Sequence, residues 1–453
     1  MVLFVNLFFL IVSSVLYISA PDIYSYNYCV LINVLFIIQN CIYFTFRRTK
    51  SLVGFQFIFM ISFYFTNFVY PVFYFPTNKD FLLFHFSFNE NIISKATSIA
   101  FLAYSFYIFS LSFFSRKIQM DNPDFFKKID FEKVMKLLLK ITVIFLIMFI
   151  IYGGYDYFSS IYSKDGDVFV GGISLYFYIV FFTTLHLMAI FVFDISERAK
   201  RFYYLVTIFS IIIFFLFLGS RNMALAVFLI LILSYNNNVR KIPNFVFLSV
   251  LILGAIFLTI LMFTRSISLS DTDYVNSGIE NLQFNSLWDI GSDLIVCNRS
   301  LYTLIDFANN NTHTFGVTML GGFLSPIPFA QSLVCKIFAI PLDFIGSASF
   351  GTFLEFGKDS TLGLGTNIVA DVYLAFGLLG IVVFFMFLGW LVGRAESQYK
   401  TNVYWNIIYY FLISNSVFFV RSGFFDNIRP LIWALVFMFL INKKYSLQKK
   451  WTL

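Results

Sequence analysis

Apolar residues in this chain run in blocks of roughly 18 or more, the length a helix needs to cross about 30 Å of hydrocarbon. The blocks recur from one end of the sequence to the other. Few folds fit such a pattern. A backbone in lipid must satisfy its own N–H and C=O groups, so repeated apolar blocks of this length become membrane-crossing helices. Twelve are counted, at about 2–20, 28–46, 51–73, 96–115, 137–153, 172–194, 202–218, 221–235, 245–264, 366–393, 402–420 and 427–442. Composition agrees: only 12% of the residues are charged, where a soluble domain carries about a quarter. The expected fold is all-α and polytopic, with about 12 transmembrane helices. The first block lacks a basic leader and flows into the second, which reads as a retained helix and not as a cleaved signal.

Lysine and arginine set orientation, favouring the cytoplasmic side. With successive connections assigned to alternate sides, one side collects Arg47, Arg48 and Lys50, the residues from Arg116 to Lys140, Arg198, Lys200 and Arg201, Arg240 and Lys241, Arg394 and Lys400, and those from Lys443 to Lys450. These make 21 of the 31 basic residues, whereas only 7 of the 24 acidic ones share that side. Both termini are then cytoplasmic. The net charge of +7 follows from topology and points to the lipid bilayer, not to nucleic acid.

Three segments follow: 1–265 with helices one to nine, 266–365 as one large extracytoplasmic loop, and 366–453 with helices ten to twelve and a cytoplasmic tail. A structureless loop of about a hundred residues is rare, so a folded cap with short helices is expected there. Its second half, Phe315 to Ile345, is apolar but broken by Pro326, Pro328 and Pro341, which suits short helices lying on or dipping into the interface. Its first half carries Asp271, Asp273, Glu280, Asp289, Asp293 and Arg299 among aromatics such as Trp288.

Several residue types carry little. The 66 phenylalanines read as apolar filler. No repeat of fixed period is visible. Cys41 lies inside a block and reads as a small core residue; Cys297 and Cys335 share the outer loop, where a disulfide is open but unsupported by any spacing motif. His85, His186 and His313 form no ligand cluster.

Four arginines stand out. Arg221, Arg265, Arg421 and Arg429 each lie beside an apolar block, all on the outer side. Charge at a bilayer edge is costly to desolvate, and a ring of external arginines points to an anionic ligand, a phosphate above all. Arg221 and Arg429 open the eighth and twelfth blocks, where free N–H groups and the helix dipole also attract phosphate. Arg265 and Arg421 close the ninth and eleventh, where each could simply offset the dipole. Asn367 and Asp371 fall in the first turns of the tenth block, whose length of about 42 Å at 1.5 Å per residue would lift Asp371 into the headgroup layer to meet water and substrate. Asp426 precedes Arg429 by three residues and could pair with it.

The stretch Gly363-Leu-Gly-Thr366-Asn367-Ile-Val-Ala-Asp371-Val-Tyr373-Leu-Ala-Phe376-Gly377-Leu-Leu-Gly380 resembles the signature of the bacterial O-antigen and capsule repeat-unit polymerases, the Wzy family. Gly219-Ser220-Arg221 and the segment from Arg421 to Pro430 resemble that family's motifs too. The motifs cover about 30 residues, while the layout of many spans and a large outer loop covers the whole chain. The resemblance implies a GT-C-like fold and a metal-independent, inverting glycosyl transfer that needs no cofactor. It implies undecaprenyl-pyrophosphate-linked glycans as donor and acceptor, and leaves room for a chain-length regulator protein as partner. Related O-antigen ligases carry a His before the Asn; here Thr366 stands there, so the base must lie elsewhere.

The residues fit that chemistry. Inversion by single displacement needs one base to take the proton of the attacking hydroxyl, and a departing lipid pyrophosphate builds charge that arginines and helix N-termini can stabilise. Asp371 is the expected base, with Glu355 in reserve. Arg221, Arg265, Arg421 and Arg429, with Asn367 and Tyr373 of the motif, are the expected substrate contacts. The whole reads as a polysaccharide polymerase, a glycosyltransferase of the inner membrane whose site faces the periplasm. An O-antigen ligase, a lipid-linked oligosaccharide flippase or transporter, and a membrane acyltransferase are the competing readings.

Overall fold

The computed structural model describes residues 2–47, 51–77, 79, 88–115, 129–154, 173–217, 221–265, 291–358 and 363–448. In chain order the α-helices are α1 (Val2–Ile18), α2 (Tyr26–Phe46), α3 (Phe55–Tyr64), α4 (Ile92–Phe114), α5 (Phe131–Phe149), α6 (Ile173–Phe191), α7 (Arg198–Phe217), α8 (Arg221–Asn238) and α9 (Asn244–Arg265). Then come the short α10 (Ser292–Ile295), α11 (Cys297–Asn310), α12 (Leu320–Leu324), α13 (Ala330–Phe338) and α14 (Ser347–Phe356). Last are α15 (Ile368–Gln398), α16 (Val403–Asn415) and α17 (Ile428–Gln448). No strand occurs among the described residues.

Seven of these runs are long and apolar enough to cross a membrane: α2, α3 with its continuation, α4, α5, α6, α7 and α15. The expected boundaries shift where polar turns extend or cut an apolar block. α5 begins at Phe131, six residues before the block, on a turn capped by Asp130, whose side chain accepts the Lys133 N–H. α16 is only 13 residues long; the chain turns after Asn415 and re-enters a 3-10 turn at Phe419–Arg421.

α4 is the centre of the bundle, packed between α1 and α15. α1 runs antiparallel to it, because Asn6 donates to Ser112 at 2.7 Å while Lys95 donates to the Tyr17 carbonyl at 2.9 Å. α15 runs parallel to it and very close. A Cβ on Gly389 would lie 2.4 Å from the Tyr107 carbonyl oxygen, and one on Gly393 would lie 3.4 Å from Leu111. Small residues allow this approach, which is how helices gain contact where the hydrophobic effect is weak. Buried polar pairs add to it: Tyr104 with Asn40 at 2.5 Å, and Thr142 with Thr184 at 2.9 Å. The phenylalanines are not uniform filler. Phe36, Phe59, Phe63 and Phe68 are buried with Tyr104 and Tyr107 in a ring cluster with centroids 4.6–6.3 Å apart.

α3 does not continue as a regular α-helix. Phe65–Tyr74 is a π-helix containing Pro71. The Pro71 carbonyl finds no donor five residues on, where Pro76 stands, and Tyr24 donates to it at 2.8 Å.

Polar contacts gather one set of helix ends. Lys200 bridges Glu132 at 2.9 Å, Asn238 reaches Asp194 at 3.1 Å, the Leu52 N–H reaches Asn244 at 2.9 Å, and Asn442 reaches Tyr404 at 3.3 Å. These are the ends that carry the basic clusters. Residues 291–358 lie at the other end, and they are no detached cap. α11 is buried from Cys297 to Ile305 and packs on α4 and α15. The proline-broken part forms α12 and α13, and α13 exposes Leu333, Ile337 and Phe338. Its turn is moored to the bundle: Trp433 donates to the Pro326 carbonyl, and the Phe329 N–H to Tyr176. Asp271, Asp273, Glu280, Trp288 and Asp289 lie outside the described residues.

Candidate functional site

α15 carries the centre of the motif, and it is not the single rod expected. Gly377 has φ 61 and ψ −145, which divides the helix; only glycine takes this conformation without strain. The break leaves the Leu374 carbonyl without its helical partner, and the Thr314 N–H fills it at 2.9 Å. Gly380 completes the bend, because a Cβ there would sit 2.8 Å from the Val372 carbonyl. The two glycines of the Phe-Gly-x-x-Gly pattern therefore have a structural cause. The bend also brings His313 against Gly377 and edge-on to Tyr373 at 5.7 Å.

The bend holds the start of α15 inside the protein. Asp371 is 1% exposed, so it does not meet water as the length of an unbroken helix suggested. Its Oδ2 accepts the Phe424 N–H at 2.8 Å. Its Oδ1 is buried without a hydrogen-bond partner, and Ser347 and Asp426 are its neighbours. Asn367 is the N-cap, not a first-turn residue: its side-chain oxygen accepts the Val369 N–H at 2.8 Å. Its amide nitrogen reaches Asn67 of the π-helix at 2.9 Å, so both ends of that side chain are engaged. Asn367 and Asp371 thus serve different partners. Thr366 donates to Ser347 at 2.9 Å and Tyr373 to Asn309 at 2.8 Å.

The segment 419–429 supplies the opposite wall. Two successive N–H groups are each held by a carboxylate: Gly423 by Asp426 at 2.6 Å and Phe424 by Asp371 at 2.8 Å. Asp426 therefore closes its own turn; it does not pair with Arg429 as its spacing suggested. Burial pushes the Asp426 carboxyl above the usual carboxylate range, against the pull of the Gly423 N–H. α12 covers this turn. A Cβ on Gly322 would lie 2.8 Å from the Phe425 backbone.

Two of the four expected arginines converge. Arg221 at the start of α8 and Arg421 on the 3-10 turn both face the same Asp293 oxygen, at 3.5 and 3.4 Å. Arg421 lies beyond the end of α16 and closes the 3-10 turn Phe419–Arg421. Arg429 stands in the first turn of α17 near Tyr176, with no hydrogen-bond partner for its Nε. Arg265 ends α9; its side chain lies outside the described atoms, as do Gly219 and Ser220.

Glu355 sits in the last turn of α14 and not on a loop. Its carboxylate accepts the Thr303 hydroxyl at 2.8 Å. Burial raises its pKa, with Thr303 and Arg299 pulling it partly back. Cys297 and Cys335 are both free thiols, so the disulfide left open by the sequence is not formed.

Sequence reasoning gave Asp293 no role beyond the acids of the outer loop, and passed over Ser347 and Asn67. Asp293 is far from both arginines along the chain and carries no motif. Only the fold joins them.

Together these features define a polytopic helical membrane protein with paired arginines and a buried carboxylate under short helices at one end of its bundle. The chain belongs to the O-antigen polysaccharide polymerase Wzy family, whose model matches residues 1–450. Membership implies polymerisation of O-antigen repeat units, acting on lipid-linked oligosaccharides in a membrane. No curated protein and no solved structure matches the chain.

Proposed function

We propose that this protein joins undecaprenyl-pyrophosphate-linked repeat units into O-antigen or capsular polysaccharide by a metal-independent, inverting transfer at the periplasmic face of the inner membrane. On this reading all twelve apolar blocks cross the membrane, including α1, α8, α9, α16 and α17, in a GT-C-like arrangement. Residues 266–365 form the periplasmic cap, with α13 lying against the interface.

The observation that carries the reading is one short segment joining two kinds of chemistry. Arg421 faces Asp293 together with Arg221, and three residues later Phe424 holds Asp371. An anion site and a carboxylate with one unpartnered oxygen are thereby kept within a few residues of each other. The arginines take the donor pyrophosphate, bidentately where geometry allows, and stabilise the charge that grows on the leaving group, each contributing about 2–4 kcal/mol as other preorganised donors do. Arg429 and Arg265 support the second lipid phosphate. Asp371 takes the acceptor proton once the 422–427 turn moves aside to admit the sugar.

A second reading of the base rests on Glu355, which is half-buried, with a carboxyl raised by burial. The ligase alternative lacks the His that precedes Asn367 in that group.

The test is the surface-glycan ladder. Cells lacking the gene should show long chains collapsed to a single repeat unit, and Arg221→Ala or Arg421→Ala should reproduce that collapse at normal protein levels. Undecaprenyl-linked polymer accumulating with no surface glycan would instead mean ligase. Purified enzyme that loses turnover in EDTA would overturn metal independence.

A further inference from the structure

The Arg221–Asp293–Arg421 arrangement holds more than two cations waiting for a phosphate. Two guanidinium groups facing one another repel, and Asp293 stands between them on a single carboxylate oxygen. Both separations, 3.5 and 3.4 Å, are longer than the 2.7–2.9 Å of a well-formed charge-assisted hydrogen bond. The three side chains keep 21%, 30% and 41% of their surface, for Arg221, Arg421 and Asp293. These are long, partly buried ion pairs, which an anion that fits the arginine forks better can displace. A single carboxylate oxygen held between two arginine forks is also the poorer match; a diphosphate offers several oxygens to the same donors.

We propose that Asp293 is a built-in competitor for the pyrophosphate, a positioning residue that holds the arginine pair when the site is empty and displaces the lipid product after transfer. The inference rests on the arginine pair binding pyrophosphate, as argued above. Its logic is one of turnover. Each cycle must bind a glycosylated lipid pyrophosphate and release the bare one, and both carry the same anionic group. A site built only to attract would hold the spent carrier. The carboxylate that returns to Arg221 and Arg421 lowers affinity for substrate and product alike, and so keeps release from limiting the rate. Asp293 lies at the start of α10, and α10 leads into the buried α11. Its swing away from the arginines therefore needs only its own side chain and a short turn to move.

Asp293→Asn keeps the shape and removes the charge, and Asp293→Glu restores the charge. Full-length protein in detergent is titrated with undecaprenyl pyrophosphate, and donor KM and kcat are measured beside it. Asp293→Asn should bind the carrier about tenfold more tightly, equivalent to about 1.4 kcal/mol. Donor KM should fall, kcat should fall with it, and added undecaprenyl pyrophosphate should inhibit more strongly. Asp293→Glu should return toward wild type. Asp293→Ser supplies the same arm if the Asn variant does not accumulate in the membrane. A carrier affinity that is unchanged or weaker in the uncharged variants overturns the role of Asp293, since a purely structural acid would loosen the arginines and weaken binding. Arg221→Ala serves as the control on the underlying reading. If it leaves carrier binding intact, the pyrophosphate assignment itself fails, whatever Asp293 does.

Discussion

Asp371→Asn separates the two things Asp371 does. The carboxylate accepts the Phe424 N–H through Oδ2 at 2.8 Å and leaves Oδ1 unpartnered. Asparagine keeps the shape and an oxygen for Phe424, so the 422–427 turn and Arg421 stay in place, while the ability to take a proton is lost. A positioned general base contributes about 10²–10⁴-fold, or about 2.7–5.4 kcal/mol at 1.36 per decade. kcat/KM on defined lipid-linked substrate should fall by about that factor, with carrier binding and melting temperature close to wild type. Asp371→Leu should do worse in a different way. It strands the Phe424 N–H in a buried place at about 1–3 kcal/mol, so melting temperature falls and the arginine pair loosens as well. The assay is single-turnover polymerisation in detergent with parallel thermal melts. Turnover of Asp371→Asn within a few-fold of wild type, while Glu355→Gln is dead, would refute the assignment; Asp371 would then be only the anchor of the turn.

Further outcomes follow from the same contacts. Glu355 has a raised pKa, so its stabilising balance is full below its ordinary value near 4.5 and is lost as pH rises through the raised one; Glu355→Gln should melt higher than wild type at pH 7.5 and level with it near pH 4, and equal melts at both pH values would count against the burial argument. Gly389→Val should cost at least about 1–3 kcal/mol by overpacking α15 against α4, since its Cβ falls 2.4 Å from the Tyr107 carbonyl; normal protein levels and an unshifted melt would show the close approach to be dispensable. Reporter fusions at Asn237 and Ser446 should read cytoplasmic and one at Asn310 periplasmic, and a cytoplasmic signal at Asn310 would invert the face on which the site opens.

What the sequence made legible was the part governed by local composition. Apolar blocks became helices because a chain in lipid has few other ways to satisfy its backbone. The glycine pattern of the motif was visible, but not its effect. Periodicity treats Gly377 as one more small residue, whereas its φ of 61 breaks the rod and buries Asp371. The early end of α16 was hidden because the turn after Asn415 is itself apolar. Four outer arginines were legible from topology; among those whose side chains are described, Arg221 and Arg421 meet, and they meet through Asp293. Pairings across such sequence distances are decided by packing, which no local pattern encodes.

The division of α15 at Gly377 has a mechanical consequence. A helix in a bilayer tilts as the hydrocarbon thickness around it changes. An unbroken α15 would act as a lever and carry each tilt straight to Asp371. Here the ladder is interrupted, and the carbonyl left over, that of Leu374, is tied to Thr314. The stretch before Gly377 is held by Asn67, Thr314 and Phe424, whereas the stretch after it is locked to α4 through Gly389 and Gly393. Gly377 thus separates a stretch fixed by its neighbours at the site from a stretch fixed to α4, so the two halves of α15 answer to different partners.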